Sequence, residues 1–203
     1  NSWDASLNGA IRYSIGFRKL GRYAKAWHDF VGDADPTNGT VVSPSALTSE
    51  SLLLIISDRD TSGLGGPLLA DEKVESGEVA NFVQFLRNVG EPRDKDLGGG
   101  TYGFGKAIFY NLSECGAIMV DTNCTDADSP RRLMGAALGD PFTGTDGVRY
   151  TGRHWWGKPD DDSGVPLPLL DDEADRMSRE LGLPGFDDGS TGTDVAVLLP
   201  SLQ

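Results

Sequence analysis

The apolar residues at the start of the chain recur at helical spacing. Trp3, Leu7 and Ile11 are four residues apart, and they predict a helix over residues 2–13 with one apolar face. A similar spacing predicts a second helix over residues 18–31, where a run of turn-forming residues follows. The chain is therefore expected to begin with two amphipathic helices.

A continuous apolar run at 52–56 is typical of a strand that is buried on both faces. Further strands are predicted over 117–120 and 194–199, and weaker patterns predict strands over 133–138 and at Tyr150. Helices are predicted over 77–88, 107–115 and 171–181. Because strands do not alternate regularly with helices, the expected fold class is α/β in its α+β form. We expect a mixed sheet that helices cover on one face.

Charge is distributed unevenly along the chain. Lys and Arg number 18 and Asp and Glu number 31, so the formal net charge is −13. A domain this acidic is a poor binder of nucleic acid or of an anionic membrane. Many of its carboxylates lie at about 159–190, which we interpret as a solvated acidic insertion. Within it, Asp171 and Asp172 are suited to cap a helix, and Gly182 is suited to end it.

The length of 203 residues fits a single domain over 1–203. No apolar run is long enough to span a bilayer and no signal peptide is visible, so we expect no membrane contact and a cytoplasmic location. Cys115 and Cys124 form no CxxC pair, and His28 and His154 are far apart in sequence. Free thiols are therefore expected, without a disulfide framework or a transition-metal site.

The stretch 150–158 combines paired tryptophans with Arg153 and Lys158. Such a pattern is compatible with a surface for nucleic acid or a protein partner. The alternative is a packed corner, which we favour because large aromatic side chains are usually buried.

A glycine-rich segment over 98–106 matches the spacing of the dinucleotide fingerprint and most of a P-loop. Charged residues and a proline stand where both motifs need a strand, and Ala107 stands where a P-loop needs Ser or Thr. What remains is a glycine run leading into a helix N-terminus, with Lys106 beside it. Its backbone N–H groups can bind an anion, most often phosphate. The alternative is a glycine-rich surface loop.

A second glycine cluster, residues 58–66, follows the buried strand directly. Its glycines at 63, 65 and 66 permit turns that other residues do not. Asp58 or Asp60 can accept a hydrogen bond from the amino group of a ligand at this point. The alternative is a capped turn with a solvated aspartate.

The opening residues Asn1-Ser2-Trp3-Asp4-Ala5 resemble the N-box of the gyrase–Hsp90–histidine kinase–MutL (GHKL) ATPase superfamily. The strand at 52–56 with the turn after it is similar to the family's adenine-binding motif. This chain lacks the family's two-residue step from Asp to Gly, so Asp58 is our first choice for adenine and Asp60 the second. Residues 98–106 resemble the family's ATP lid, and Gly192-Thr193 resembles its last motif.

The resemblance implies a Bergerat-type two-layer sandwich that binds ATP and Mg²⁺. Asn1 would hold the magnesium ion, Asp4 would support the nucleotide end of the site, and the Thr193 hydroxyl would support the adenine-binding aspartate. The remaining nucleotide contacts that it implies are Gly63, Gly65, Gly98, Gly99, Gly100, Gly103, Phe104, Gly105 and Lys106.

The implied function is an ATP-dependent conformational switch. Hydrolysing family members carry a glutamate one helical turn before the N-box asparagine, a position that would precede Asn1. The resemblance thus implies a fragment that binds ATP, with hydrolysis in the complete protein. It also implies dimerisation through the ATP-ordered lid, other protein subunits and a DNA- or defence-linked role. The alternatives are a non-hydrolysing, nucleotide-gated interaction module and a histidine-kinase-like module. For the second of these, His28 lies on the wrong side of the N-box.

Overall fold

The computed structural model describes residues 2–32, 42–70, 72, 79–87, 104–125, 128–160 and 164–201. Its strands are β1 (Arg12–Lys19), β2 (Leu52–Arg59), β3 (Ala117–Asn123), β4 (Arg131–Leu138), β5 (Phe142–Thr143), β6 (Arg149–Tyr150), β7 (Arg153–Trp156), β8 (Leu169–Leu170) and β9 (Gly192–Leu198). Its α-helices are α1 (Ala24–Val31), α2 (Asn81–Leu86), α3 (Phe104–Asn111) and α4 (Asp171–Glu180). Short 3-10 helices lie at Gly21–Tyr23 and Pro44–Ala46.

The fold is α+β, built around one seven-stranded sheet. Its order is β1–β2–β9–β3–β4–β7, with β8 paired to β4, and β5 and β6 form a separate two-stranded sheet. Every strand pairing among the described residues is antiparallel, so the expectation of a mixed sheet is wrong for this part of the chain. For β3 and β4 the reason is local, because the link between them is too short for a parallel crossover.

The predicted strand at 52–56 is confirmed as β2, and it is buried on both faces. Leu53 and Ile55 belong to one core cluster, whereas Leu54 and Ile56 belong to a second cluster across the sheet. Alternate residues of a strand point to opposite faces, so a continuous apolar run supplies both cores.

Helices cover both faces of the sheet, which corrects the expectation of a single helical layer. Trp27 of α1 and Ala174 of α4 pack in the first cluster. Phe82 of α2 and Tyr110 of α3 pack in the second. A central sheet whose strands are apolar on both faces needs cover on both, and the helices supply it.

The predicted helix over 2–13 is wrong. Residues 2–5 form turns, Gly9 adopts a φ of +71°, and β1 begins at Arg12. The four-residue spacing of Trp3, Leu7 and Ile11 is followed by a stretch, 13–17, in which every second residue is apolar. This stretch belongs to β1, and β1 pairs with β2 over eight residues. The second helix begins later than expected, because residues 18 and 19 belong to β1.

The acidic segment is a structural part of the domain, which corrects its interpretation as a solvated insertion. It contains α4, in which Ala174 and Ser178 are buried and the charged residues are exposed or half-buried, and Leu181 and Phe186 after the helix are buried as well. The expected end of this helix is confirmed: Gly182 has a φ of +67°. Its N–H donates to Arg179 and the N–H of Leu183 to Ser178, the two hydrogen bonds of a Schellman motif.

The start of α4 differs from the prediction. The residue that precedes the helix is Leu170, and no side chain caps it through a hydrogen bond. Asp171 and Asp172 lie within the first turn, where their negative charges interact favourably with the positive end of the helix dipole.

The cysteines and the paired tryptophans are found as expected. Both cysteines are free thiols. Trp155 and Trp156 are half-buried against the two core clusters, as a packed corner requires, and Trp156 donates its Nε1–H to the carbonyl of Val31 at 2.9 Å. Among the described helices, none has the length and apolar character needed to cross a membrane.

Candidate functional site

Asp58 lies near the end of β2, where its carboxylate collects hydrogen bonds from three separate segments. Its Oδ1 accepts the hydroxyl of Thr61 at 2.8 Å and the backbone N–H of Thr193 at 2.9 Å. Its Oδ2 accepts the hydroxyl of Ser2 at 2.6 Å. A carboxylate has about four acceptor positions, so these three donors leave one position on Oδ2 for a ligand.

Two threonines form a polar layer next to this carboxylate, beneath the turn that follows it. The hydroxyls of Thr122 and Thr193 lie 3.1 Å apart, and Thr122 Oγ1 also donates to the carbonyl of Gly192 at 2.7 Å. The same Thr122 oxygen accepts the N–H of Leu64 at 3.0 Å. Thr193 thus supports Asp58 through its backbone N–H, whereas the resemblance implied support through the hydroxyl.

The N-terminal segment packs on the turn that carries Asp58. Ser62 donates its N–H to the carbonyl of Ala5 at 2.8 Å, and Leu7 donates to the carbonyl of Asp60 at 3.1 Å. The structure therefore brings the segment with N-box resemblance to the aspartate turn, although this segment is not helical. Asp4 is exposed here, and Asn1 lies outside the described residues.

Asp60 has a different environment from Asp58. Its φ is +65°, and its carboxylate pairs with the Arg12 guanidinium at an Nε–Oδ2 distance of 2.8 Å on the exposed side of the sheet. Because a neighbouring cation already neutralises it, Asp60 is the weaker candidate for a ligand amino group.

The glycines of the turn allow a close approach between two segments. Gly63 has a φ of +65°, and a Cβ at this position would lie 2.6 Å from the carbonyl oxygen of Asn123. Gly65 is buried and accepts the N–H of Phe82 at its carbonyl at 3.0 Å. The glycine spacing therefore holds the turn against β3 and α2.

The residues predicted to bind phosphate fall mostly outside the described part of the chain. Gly98, Gly99, Gly100 and Gly103 all lie outside it. The helix predicted after them is present as α3, and Phe104, Gly105 and Lys106 form its first three residues. The end of α3 is tied to the sheet, because the Ser113 hydroxyl donates to the carbonyl of Leu198 at 2.5 Å.

Two buried ion pairs lie beside the site, and the sequence analysis did not identify them. Arg59 binds both carboxylate oxygens of Asp194, at 2.7 and 3.0 Å, and donates to the carbonyl of Asp58 at 2.7 Å. Arg131 pairs with Asp121 at 2.8 Å. The sequence signal for such a pair is a charged residue within an otherwise apolar strand, as Asp194 is at the start of the segment 194–199.

Burial raises the pKa of Asp121 from its ordinary value, although Arg131 and the hydroxyl of Ser178 favour its charged form. The ring of Phe186 lies between the two guanidinium groups, 4.1 Å from that of Arg59 and 4.7 Å from that of Arg131. This cluster joins β2, β9 and β3 to α4, so it helps to fix the end of β2.

A cavity of about 250 Å³ opens beside the outer strands, and none of the residues predicted to contact nucleotide lines it. Its lining residues are Arg12, Tyr13, Ser14, Ser57, Arg59 and Pro184. Within the described ranges, no group of three or more His, Cys, Asp or Glu side chains is arranged to hold a metal ion.

Comparison with known proteins adds no assignment to this geometry. No protein-family model matches the chain, and no curated protein matches it.

Proposed function

We propose that the chain is the ATP-binding domain of a GHKL-type ATPase, with a Bergerat-type fold, and that it acts as an ATP-dependent conformational switch. One observation carries the proposal: Asp58, at the end of a buried strand, is contacted by the segments of two other predicted motifs. Ser2 donates to one of its carboxylate oxygens and Thr193 to the other. Three motifs that are far apart in sequence thus meet at one carboxylate.

The chemistry of this carboxylate favours adenine. An ionised aspartate only accepts hydrogen bonds, and the remaining position on Oδ2 suits the exocyclic amino group of adenine. Guanine has a carbonyl oxygen at the corresponding position, and two acceptors repel each other there. We therefore expect selectivity for ATP over GTP, with Asp58 as the residue that discriminates and Asp60 outside the contact.

The phosphates and the metal ion are assigned by resemblance. Asn1 would offer its amide oxygen to Mg²⁺, a ligand type that this hard cation accepts, and the bound ion would neutralise phosphate charge. Backbone N–H groups of the glycine-rich segment and the N-terminus of α3 would hold the phosphates, with Lys106 as an added positive charge. Asp4 would support the same end of the site.

Titration calorimetry with ATP and GTP, each with and without Mg²⁺, tests the nucleotide assignment. ATP is expected to bind more tightly than GTP, and magnesium is expected to strengthen ATP binding. Equal affinity for both nucleotides would contradict the role of Asp58, and binding of neither would contradict the function itself.

A second experiment tests the switch. Amide exchange across Gly98 to Lys106 is expected to slow with a non-hydrolysable ATP analogue and to slow less with ADP, because only ATP offers a γ-phosphate to Lys106. Lys106→Ala should remove this difference. Equal protection by both nucleotides would contradict a γ-phosphate sensor at this residue.

For the protein that carries this domain, we propose hydrolysis of ATP to ADP and phosphate. Charge stabilisation and positioning are the main catalytic devices in such reactions. Dimerisation through the ATP-ordered segment and a DNA- or defence-linked role belong to the same proposal. Phosphate release measured on the full-length protein distinguishes an ATPase from a non-hydrolysing, nucleotide-gated module.

A further inference from the structure

Arg59, the last residue of β2, restrains the residue that carries the candidate adenine carboxylate. Successive side chains of a strand point to opposite faces, so the side chains of Asp58 and Arg59 leave the strand on different sides. The Arg59 guanidinium nevertheless donates to the backbone carbonyl of Asp58 at 2.7 Å. Asp58 is therefore held twice: Thr61 and Thr193 bind its carboxylate, and Arg59 binds its carbonyl.

The guanidinium is itself fixed by elements beyond β2. Its two terminal nitrogens bind the two oxygens of Asp194 at 2.7 and 3.0 Å, and one of them also donates to the carbonyl of Gly185 at 3.0 Å. Asp194 is fully buried in β9, and the ring of Phe186 lies 4.1 Å from the guanidinium. A planar fork that binds a carboxylate through both oxygens has a defined orientation, so Arg59 offers the Asp58 carbonyl a rigid donor.

The carbonyl that Arg59 binds lies where β2 gives way to the turn. Asp60, the residue after the strand, already has a φ of +65°. The backbone of β9 comes close at the same point, because a Cβ at Gly192 would lie 2.2 Å from the Asp58 carbonyl oxygen. The ends of secondary-structure elements open more readily than their centres, and the Arg59 hydrogen bond opposes such opening next to the carboxylate.

We propose that Arg59 is a positioning residue of the candidate adenine site. Its hydrogen bond to the Asp58 carbonyl fixes the main chain from which the carboxylate projects, and it thereby maintains selectivity for ATP over GTP. The inference rests on the proposed function, and it assigns Arg59 no contact with the nucleotide. A hydrogen bond from the adenine amino group to Oδ2 needs a donor–acceptor distance of about 3 Å and a nearly straight angle. A displaced main chain therefore weakens ATP binding, whereas GTP has no such hydrogen bond to lose.

Arg59→Lys tests the assignment in a variant that keeps the positive charge. A lysine can still pair with Asp194, but its ammonium lacks the fork that binds this carboxylate and the Asp58 carbonyl together. The ratio of ATP affinity to GTP affinity, measured by calorimetry, should fall about tenfold, roughly the contribution of one hydrogen bond. Arg18→Lys is the matched control, because Arg18 also donates to a carbonyl after α4, that of Gly182. It should leave the ratio unchanged.

Amide exchange at Thr193 gives a second readout that needs no nucleotide. The Thr193 N–H donates to Oδ1 of Asp58, so its exchange with solvent reports whether the carboxylate keeps its place. Exchange should be about tenfold faster in Arg59→Lys and unchanged in Arg18→Lys.

The two measurements separate this inference from the proposed function. If the parent chain binds ATP and GTP equally, the assigned role of Asp58 fails, and Thr193 exchange alone decides whether Arg59 holds the carboxylate. A preference for ATP that Arg59→Lys keeps in full would overturn the positioning role. So would equal changes in Arg59→Lys and Arg18→Lys, because they would reflect a general loss of stability.

Discussion

Thr193 donates its backbone N–H to the Oδ1 atom of Asp58 at 2.9 Å, and the two residues are also direct partners in the pairing of β2 with β9. The side chain of Asp58 therefore turns back onto the strand beside it. Thr61 donates to the same oxygen, so Oδ1 is fixed by the chain itself. Oδ2 accepts only the Ser2 hydroxyl and keeps one acceptor position for a ligand. Oδ1 therefore fixes the side chain, and Oδ2 is the oxygen that can bind a ligand.

The first prediction follows from this division. In Asp58→Asn, the amide oxygen can keep the hydrogen bonds from Thr61 and Thr193, while the amide nitrogen replaces Oδ2. That nitrogen is a donor and meets the donor amino group of adenine. ATP affinity should fall by about 1–3 kcal/mol, which is the penalty for an unpaired buried polar group. Calorimetry on the folded variant measures the change.

Asp60→Asn is the control for this variant. The Asp60 carboxylate binds the Arg12 side chain on the exposed side of the sheet. We expect its replacement to leave ATP affinity unchanged. If Asp60→Asn loses ATP while Asp58→Asn keeps it, the adenine-binding aspartate has been placed two residues too early.

The sequence predicted β2, β3, β4, β9 and α4, because their apolar patterns agree with the environments that they occupy. Leu52 to Ile56 is a short apolar run with polar residues on both sides, which favours a buried strand, and as part of β2 it supplies both core clusters. The position of Asp58 after that strand made it a candidate site residue, with a solvated aspartate as the alternative, and its preference over Asp60 came from the family resemblance. The predictions of the strands and of α4 needed only local information.

The errors arose where a local pattern had two solutions. Trp3, Leu7 and Ile11 fit one helical face, yet Gly9 interrupts the segment and the pairing of β1 with β2 decides its conformation. The partners of Asp58 were also beyond prediction, because Ser2 and Thr193 are brought there by the order of the strands. Asp194 and Arg59, a pair 135 residues apart, depend on the same topology.

The second prediction concerns this ion pair. Asp194 is fully buried and Arg59 nearly so. Asp194→Ala would leave the Arg59 guanidinium buried without its carboxylate, which costs about 3–5 kcal/mol of unfolding free energy. Lys158→Ala, which removes an exposed ion pair with Glu173, should change the unfolding free energy little. Urea denaturation compares the two variants. Equal losses would mean that the Asp194 pair is effectively solvated.

The third prediction concerns the turn after Asp58. Gly63→Ala places a methyl group 2.6 Å from the carbonyl oxygen of Asn123 and 2.8 Å from the Cα of Cys124, and both are backbone atoms that cannot move alone. Gly147 has a similar positive φ, +77°, but no atom within 4 Å of its Cβ position.

Gly147→Ala should therefore show only the strain of a left-handed residue, about 1–2 kcal/mol. Gly63→Ala should lose clearly more stability, and its ATP affinity should fall with the displaced turn. Thermal unfolding and calorimetry measure both effects. A stability loss that is the same in the two variants would show that the turn at Gly63 can move away from β3 without cost.

The last prediction combines packing with pH. The Tyr110 hydroxyl is buried in the second core cluster and has no hydrogen-bond partner among the described residues. Tyr110→Phe removes this group, so the unfolding free energy should rise by about 1 kcal/mol near neutral pH. Tyr13→Phe, at an exposed tyrosine, is the matched control and should have little effect.

The advantage of Tyr110→Phe should grow in alkaline solution. Burial raises the pKa of Tyr110 above its ordinary value of 10.0, so the folded chain keeps a proton that the unfolded chain releases. The parent thus loses stability as the pH rises above about 10, by up to about 1.4 kcal/mol per pH unit, while the phenylalanine variant has no such proton to hold. Urea denaturation at neutral pH and above pH 10 should show the two chains diverging with pH. A constant difference would mean that the Tyr110 hydroxyl ionises as easily in the folded chain as it does in water. This part of the core would then be open to solvent.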